Sequence, residues 1–241
     1  MASKPLVAIT GASSGIGEAT ARAFSAAGHP LLLLARRLDR LEALGLPDAL
    51  CRKVDVRDRE GIKAAVVEAE AAFGPADLMF CNAGIARLAD IGRQDPLEWD
   101  EMIDVNAKGV MNAVHAVMAG MMERRRGTLV MMSSIAGRKV YPDHTVYCGT
   151  KFFVHAVSES LREYLSAYDV RVIVVSPGII ETEVLDAVTD ATTLASYKAN
   201  KARIGGGIPA SHVADLILNA YDLPQNALVQ EICLTPTRQT Y

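Results

Sequence analysis

The chain has little of what marks a secreted, membrane-spanning or nucleic-acid-binding protein. Only four cysteines occur in 241 residues, Cys51, Cys81, Cys148 and Cys233, and none of the intervals matches a CxxC pair or a zinc-ligand spacing. A disulfide framework is excluded as a source of stability, and a reducing cytoplasm is the expected compartment. No apolar run approaches the roughly 18 residues that a membrane span needs. A β-like run at Leu6 to Thr10 follows only five residues, which leaves no room for a signal peptide. Charge of one sign is not in excess: 25 Lys and Arg stand against 28 Asp and Glu, a formal net charge of -3. That balance argues against a dedicated nucleic-acid or anionic-membrane surface and leaves small neutral or anionic ligands open. Aromatic residues are scarce at 5%, but 50% of the chain is hydrophobic, enough for a packed core. No Pro/Gly/Ser-rich linker divides it, so one domain over 1–241 is expected.

Short apolar runs alternate with helix-sized stretches. Leu6–Ile9, Leu31–Leu34, Leu78–Cys81, Thr128–Met132 and Val170–Val175 read as strands buried on both faces, and a late run at Leu228–Leu234 suits a last strand. The rhythm predicts an α/β fold, a parallel sheet between two helical layers, because parallel strands need crossovers that cover the sheet. Arg124–Arg126, just before Gly127, reads as a helix end whose dipole favours cations rather than as a phosphate contact. Met111, Met118, Met121 and Met122 sit at helical spacing and suit packing better than metal binding.

Directly after the first strand comes Thr10-Gly11-Ala12-Ser13-Ser14-Gly15-Ile16-Gly17, and the following Glu18 to Phe24 looks helical. Glycines permit a tight turn and let backbone N–H groups approach a pyrophosphate, while the helix N-terminus favours negative charge. Between a strand and a helix, this turn points to a dinucleotide. An NAD site would place an Asp or Glu at the end of the second strand to hold the ribose 2′-hydroxyl. The sequence has Ala35-Arg36-Arg37 there instead. Without a carboxylate to repel it, a 2′-phosphate is welcome, and Arg36 offers a donor fork with Ser13 as a helper. NADP is thus expected over NAD. Asp55 and Val56 follow the strand-like Cys51–Val54, with Asp55 placed for the adenine amino group.

Tyr147 and Lys151 are four residues apart at the start of an amphipathic stretch running from Phe152 to Leu165, which puts both on one helix face. A phenol of pKa about 10 exchanges protons poorly at neutral pH, and lowering it by about three units takes roughly 4 kcal/mol. An ammonium about 4 Å away at an effective dielectric near 20 supplies about that much. Ser134 lies at the carboxyl end of a strand, where the ligand crevice opens, and its hydroxyl suits a substrate carbonyl. Ser133 is the adjacent alternative, and strand-end geometry points only one of the two inward. Asn106 is a polar residue inside a helical stretch with no local reason to be there.

Together these residues resemble the short-chain dehydrogenase/reductase family over essentially the whole chain. The resemblance rests on Thr10 to Gly17, on Cys81-Asn82-Ala83-Gly84, on Asn106, Ser134, Tyr147 and Lys151, and on Ser176-Pro177-Gly178 followed by Thr182. It implies a Rossmann-type doubly wound parallel sheet and a tetrad of Asn106, Ser134, Tyr147 and Lys151. It implies as well that Lys151 bonds the nicotinamide ribose, that Thr182 and the backbone near Ile180 fix the carboxamide, and that Asn82 borders the adenosine ribose. A homo-oligomer, tetramer or dimer, built on the helices around Asn106–Glu123 and Phe152–Ala167, is implied too. Cys81 replaces the first Asn of the common NNAG, and Thr150 replaces a frequent Ser; neither removes a catalytic atom.

The expected reaction is hydride transfer between NADP(H) and a small alcohol or carbonyl, with no metal required and a substrate lid at 181–207 that contains the flexible Gly205–Gly207. The C-terminal Glu231 to Thr237 resembles members acting on small 3-hydroxy acids or aldehydes. Val140, Tyr141 and Val184 suit a hydrophobic ketone or alcohol equally. A non-catalytic NADP-binding regulator would be expected to lose the tyrosine, lysine or serine, and a structural scaffold would need neither Arg36 nor the tetrad.

Overall fold

The computed structural model describes residues 4–240. In chain order the strands are β1 (Leu6–Thr10), β2 (Leu31–Ala35), β3 (Ala49–Lys53), β4 (Ala76–Cys81), β5 (Gly127–Met132), β6 (Val170–Pro177), β7 (Ile180–Glu181), β8 (Ile208–Pro209) and β9 (Glu231–Leu234). Seven of them form one parallel sheet in the order β3-β2-β1-β4-β5-β6-β9, while β7 and β8 make a separate short ladder. The helices are α1 (Gly15–Ala26), α2 (Leu38–Glu42), α3 (Arg59–Phe73), α4 (Pro96–Ile103), α5 (Gly109–Arg124), α6 (Thr145–Ser166), α7 (Ala191–Arg203) and α8 (Ala210–Tyr221).

Burial follows from the continuous apolar runs. In β1, Leu6 and Ala8 join the core shared with α3, α5 and α6, whereas Val7 and Ile9 join the core shared with α1 and α8. β2 alternates in the same way, Leu32 and Leu34 to one side and Leu31 and Leu33 to the other. Side chains alternate between the faces of a strand, so a sheet covered on both sides draws apolar residues to both, and the polar ones it buries are paired, as Arg171 of β6 is with Thr128 Oγ1 of β5 at 3.0 Å. The result is the three-layer, doubly wound Rossmann-type fold. Strand order reverses between β1 and β4, and ligands bind such sheets outside the carboxyl ends at that switch point.

Several elements differ from their sequence outlines. The last strand is Glu231–Leu234, because only these residues register with Val174–Pro177 of β6. Helix α6 begins at Thr145, so Tyr147 and Lys151 lie in its first turns, on one helix face as their spacing implies. Asn106 sits in a π-helical turn, Asp104–Lys108, that joins α4 to α5. The three arginines do close a helix. Arg125 takes a left-handed conformation (φ 50), Arg124 donates to Ala76 O at 2.9 Å and Arg126 to Asp77 at 2.8 Å. Met121 is fully buried, with Met118 and Met122 packed against the same core.

Leu33 of β2 is fully buried. Leu33→Ala should lower the unfolding free energy by about 2–5 kcal/mol, read from the urea midpoint at unchanged slope.

Candidate active site

A cavity of about 780 Å³ opens at the carboxyl ends of the strands, a size suited to a cofactor with a small substrate. Of the catalytic and cofactor-binding candidates named from the sequence, all line it except Gly17 and Asn106, which stand behind its wall; of the substrate candidates Tyr141 and Val184 line it, whereas the exposed Val140 does not.

One end is the turn between β1 and α1. Gly11 (φ +67) and Gly15 (φ +57) adopt left-handed conformations, and a Cβ on Gly11 would lie 2.8 Å from Ala83 Cα. A Cβ on Gly17 would lie 2.3 Å from Gly11 O, so α1 packs directly onto the turn. Ser14 caps α1 in an extended conformation without a side-chain bond to its first N–H groups, which leaves that end of the helix suited to an anion. Asn82 fixes the junction, donating through Nδ2 to Thr10 O at 2.9 Å and Gly11 O at 3.2 Å. Such a turn fits a dinucleotide pyrophosphate, and a side chain at Gly11 or Gly17 would push apart the backbone that forms it.

Cations stand beside the cradle, though arranged otherwise than the sequence suggested. Arg37, not Arg36, reaches back to the turn, donating through Nη2 to Ser13 Oγ at 3.2 Å and Ser14 Oγ at 3.0 Å. It is the residue before α2 and leaves the extended path there, which returns its side chain to the glycine turn. Arg36 lines the cavity and acts on Asp55 through its charge. Asp55 also lines it but is largely held by Arg57, whose guanidinium bonds keep its carboxyl below the usual range.

The other end carries the proton chemistry. Ser134 begins the tight turn Ile135–Gly137 and accepts from Ala136 N at 3.1 Å. It faces the cavity and hydrogen-bonds Tyr147. Ser133 is turned away into structural work, its hydroxyl donating to Lys151 O at 3.0 Å. Lys151 Nζ donates to Met132 O at 2.9 Å and lies 5.6 Å from the centre of the Tyr147 ring. Burial pushes the Tyr147 phenol up to about 12, against the Ser134 hydrogen bond that favours phenolate. Burial likewise pushes Lys151 down to about 8. The simple arithmetic of an ammonium beside a phenol is thus reversed in this protein, because desolvation disfavours both charged forms.

Among the described residues no hydrogen bond joins Lys151 to Asn106. Its Oδ1 accepts from Ile85 N at 2.8 Å, while its Nδ2 donates to Ile85 O at 2.8 Å and Thr150 Oγ1 at 3.2 Å. The π turn aims this amide so that it ties the segment after β4 to α6, and with it the wall beside Lys151.

The model of the short chain dehydrogenase family matches residues 5–193. The chain belongs to that family. It is 37% identical over 246 residues to sulfoacetaldehyde reductase 2 of Chromohalobacter salexigens, covering 98% of this chain and 96% of that protein. An uncharacterized oxidoreductase of Staphylococcus saprophyticus is 35% identical over 245 residues, covering 98% and 97%. Among solved structures, the closed form of a serine dehydrogenase complexed with NADP+ superposes with a TM-score of 0.90 at 29% identity, covering 98% of this chain and 96% of that one.

In this short-chain dehydrogenase the sequence reading missed Gln239. Its Oε1 accepts from Ile179 N at 2.9 Å, and a Cβ on Gly178 would lie 2.3 Å from that oxygen. The C-terminal segment therefore clamps the Pro177-Gly178-Ile179 turn, and Gln239 and Thr240 line the cavity. Sixty residues separate the partners, and nothing local to Gln239 signals the contact. His155, also missed, bonds the backbone of Ser134 and, through Nε2, Ser176 Oγ at 3.1 Å. Ile179 is buried, so Gln239→Ala strands its N–H and should lower stability by about 1–3 kcal/mol. Gln239→Glu, which keeps the acceptor, should lose less in the same urea melt.

Proposed function

We propose that this protein is an NADP(H)-dependent oxidoreductase that reduces a small carbonyl compound, an aldehyde before others, and reoxidises the alcohol in reverse. The observation that carries the reading is one cavity with a glycine cradle and arginines at one end and Ser134, Tyr147 and Lys151 converging at the other. NADP+ bound to a serine dehydrogenase of the same fold and a sulfoacetaldehyde reductase among the relatives support it.

NADPH supplies the hydride; the chain supplies position and the proton. Gly11 to Gly17 and the start of α1 would hold the pyrophosphate, Arg36, Arg37 and Ser13 the 2′-phosphate, and Asp55 and Val56 the adenine side. Asn82, Ala83 and Gly84 would border the riboses, with Lys151 on the nicotinamide ribose. Pro177, Gly178, Ile180 and Thr182 would hold the carboxamide. Ser134 Oγ hydrogen-bonds the substrate oxygen and steadies its developing charge. Tyr147 keeps its proton at neutral pH, since burial holds it as phenol, and gives it to that oxygen. Lys151 stabilises the phenolate left behind. Asn106 acts as a positioning residue through Ile85 and Thr150.

At the substrate end, Arg87 is paired with Glu101 at 3.0 Å and bonds Ala187 O. A hydroxy acid, or an aldehyde that carries an anion such as the sulfonate of sulfoacetaldehyde, would have to draw Arg87 from these partners, whereas a small neutral aldehyde need not. Leu88, Ile135 and Leu185 along the wall favour, as a second reading, a hydrophobic ketone. The stretch 181–207 would close over either substrate. Phe152 and Phe153 are exposed on α6, which supports a homo-oligomer, a tetramer or a dimer, through that helix. Cys51, Cys81 and Cys148 are free thiols, which suits the cytoplasm.

Tyr147→Phe should slow aldehyde-dependent NADPH oxidation by about 100-fold or more while NADPH still binds; near-normal turnover would contradict the reading. Lys151 is charged below its value of about 8 and neutral above it. Reduction at saturating substrate should therefore decline as pH rises through about 8, and a Lys151→Met variant should be slow at every pH without that step.

A further inference from the structure

Glu183 reaches across the cavity. It follows Thr182, whose Cγ2 would lie 3.0 Å from a Cβ on Gly15, and it opens the short turn Glu183–Ala187. Its carboxylate meets two cations, Arg37 from the opposite wall and Arg40 from α2 beside it. Arg40 Nη1 donates to its two oxygens at 2.9 and 2.8 Å, and Arg37 Nη1 donates to Oε2 at 3.3 Å. These guanidinium bonds hold the Glu183 carboxyl below its ordinary range. Arg37 is the same side chain whose other nitrogen holds the Ser13 and Ser14 hydroxyls. One carboxylate of the far wall is thus bound to the cationic corner beside the phosphate cradle.

We propose that Glu183 is a coenzyme-specificity residue that competes with the 2′-phosphate of NADP(H) for Arg37 and Arg40. The proposal rests on the NADP reading above. A 2′-phosphate needs donors at this corner, and a carboxylate already accepting from them must share or yield, since like charges on one fork repel. Glu183 and Arg40 are 46% and 43% exposed, so the displacement is cheap, and the effect is read only by ligands that carry a 2′-phosphate. The same charge next to the adenosine ribose has no quarrel with a plain 2′-hydroxyl. Glu183 therefore narrows the preference for NADP(H) that Arg36 and Arg37 create. Because it belongs to the segment proposed as a lid, yielding to the phosphate would also free that segment at its first turn.

Calorimetric titration of the full chain with 2′,5′-ADP and with 5′-AMP, at low salt to limit screening, tests this apart from turnover. Glu183→Gln keeps the shape of an exposed side chain and removes its charge. It should bind 2′,5′-ADP about two- to fivefold tighter, the range open to an exposed ion pair, and 5′-AMP as the unmodified protein does. Glu183→Ala should shift in the same direction. Unchanged or weaker binding of 2′,5′-ADP overturns the proposal. A parallel change for both nucleotides also overturns it, since that would make Glu183 a strap over the phosphate they share. The unmodified protein separates the two levels of the account. If it prefers 2′,5′-ADP but the variants gain nothing, only the role of Glu183 fails; if it binds 5′-AMP equally well, the NADP reading fails with it.

Discussion

Helix α1 packs at Gly17 directly onto Gly11 of the turn after β1 and onto the Asn82 amide, and the rest of the site depends on that contact. A Cβ at Gly17 would sit 2.3 Å from Gly11 O and 2.6 Å from Asn82 Nδ2, closer than any packing can absorb without moving backbone. The amide of Asn82 in turn spans the ends of β1 and β4 where strand order reverses. The helix end is thus held on the crevice that the fold itself opens. Phosphate binding, the approach of Arg37 and the distance from cradle to Tyr147 all follow from this placement.

At the far end the governing force is desolvation. Tyr147 and Lys151 share one face of α6, and burial opposes the charge on each. The free protein therefore stores a protonated phenol beside an ammonium held by a single strand carbonyl, Met132 O. In the reaction proposed above, such a pair gives its proton to an oxygen that becomes negative, and the charge separation is favoured only when that demand arises. Ser134 belongs to both tasks, bonding the phenol and facing the cavity.

Local pattern made much of this legible. The strands show as continuous apolar runs because both faces are covered, and the glycine turn shows because only glycine tolerates the positive φ of Gly11 and Gly15 with a neighbour so close. Tyr147 and Lys151 show through a spacing of one helical turn. What stayed hidden depends on distant partners. Gln239 reaches Ile179 across 60 residues and Glu183 reaches Arg37 across 146, and neither interval leaves a periodic mark. Arg37 rather than Arg36 faces Ser13 because the chain leaves the extended path after Ala35, a turn that strand alternation does not foretell. The ammonium near Tyr147 can be read from spacing, whereas the burial that raises its phenol is a property of the whole fold.

The most direct test of the cradle is a fluorescence titration with NADPH of the unmodified protein and of Gly17→Ala, with far-UV circular dichroism confirming that the sheet and helices persist. The account predicts saturable binding by the unmodified protein and binding weaker by about tenfold or more in Gly17→Ala, the cost of overpacking a closed contact. Equal binding by the two proteins, or none by the unmodified one, would contradict it.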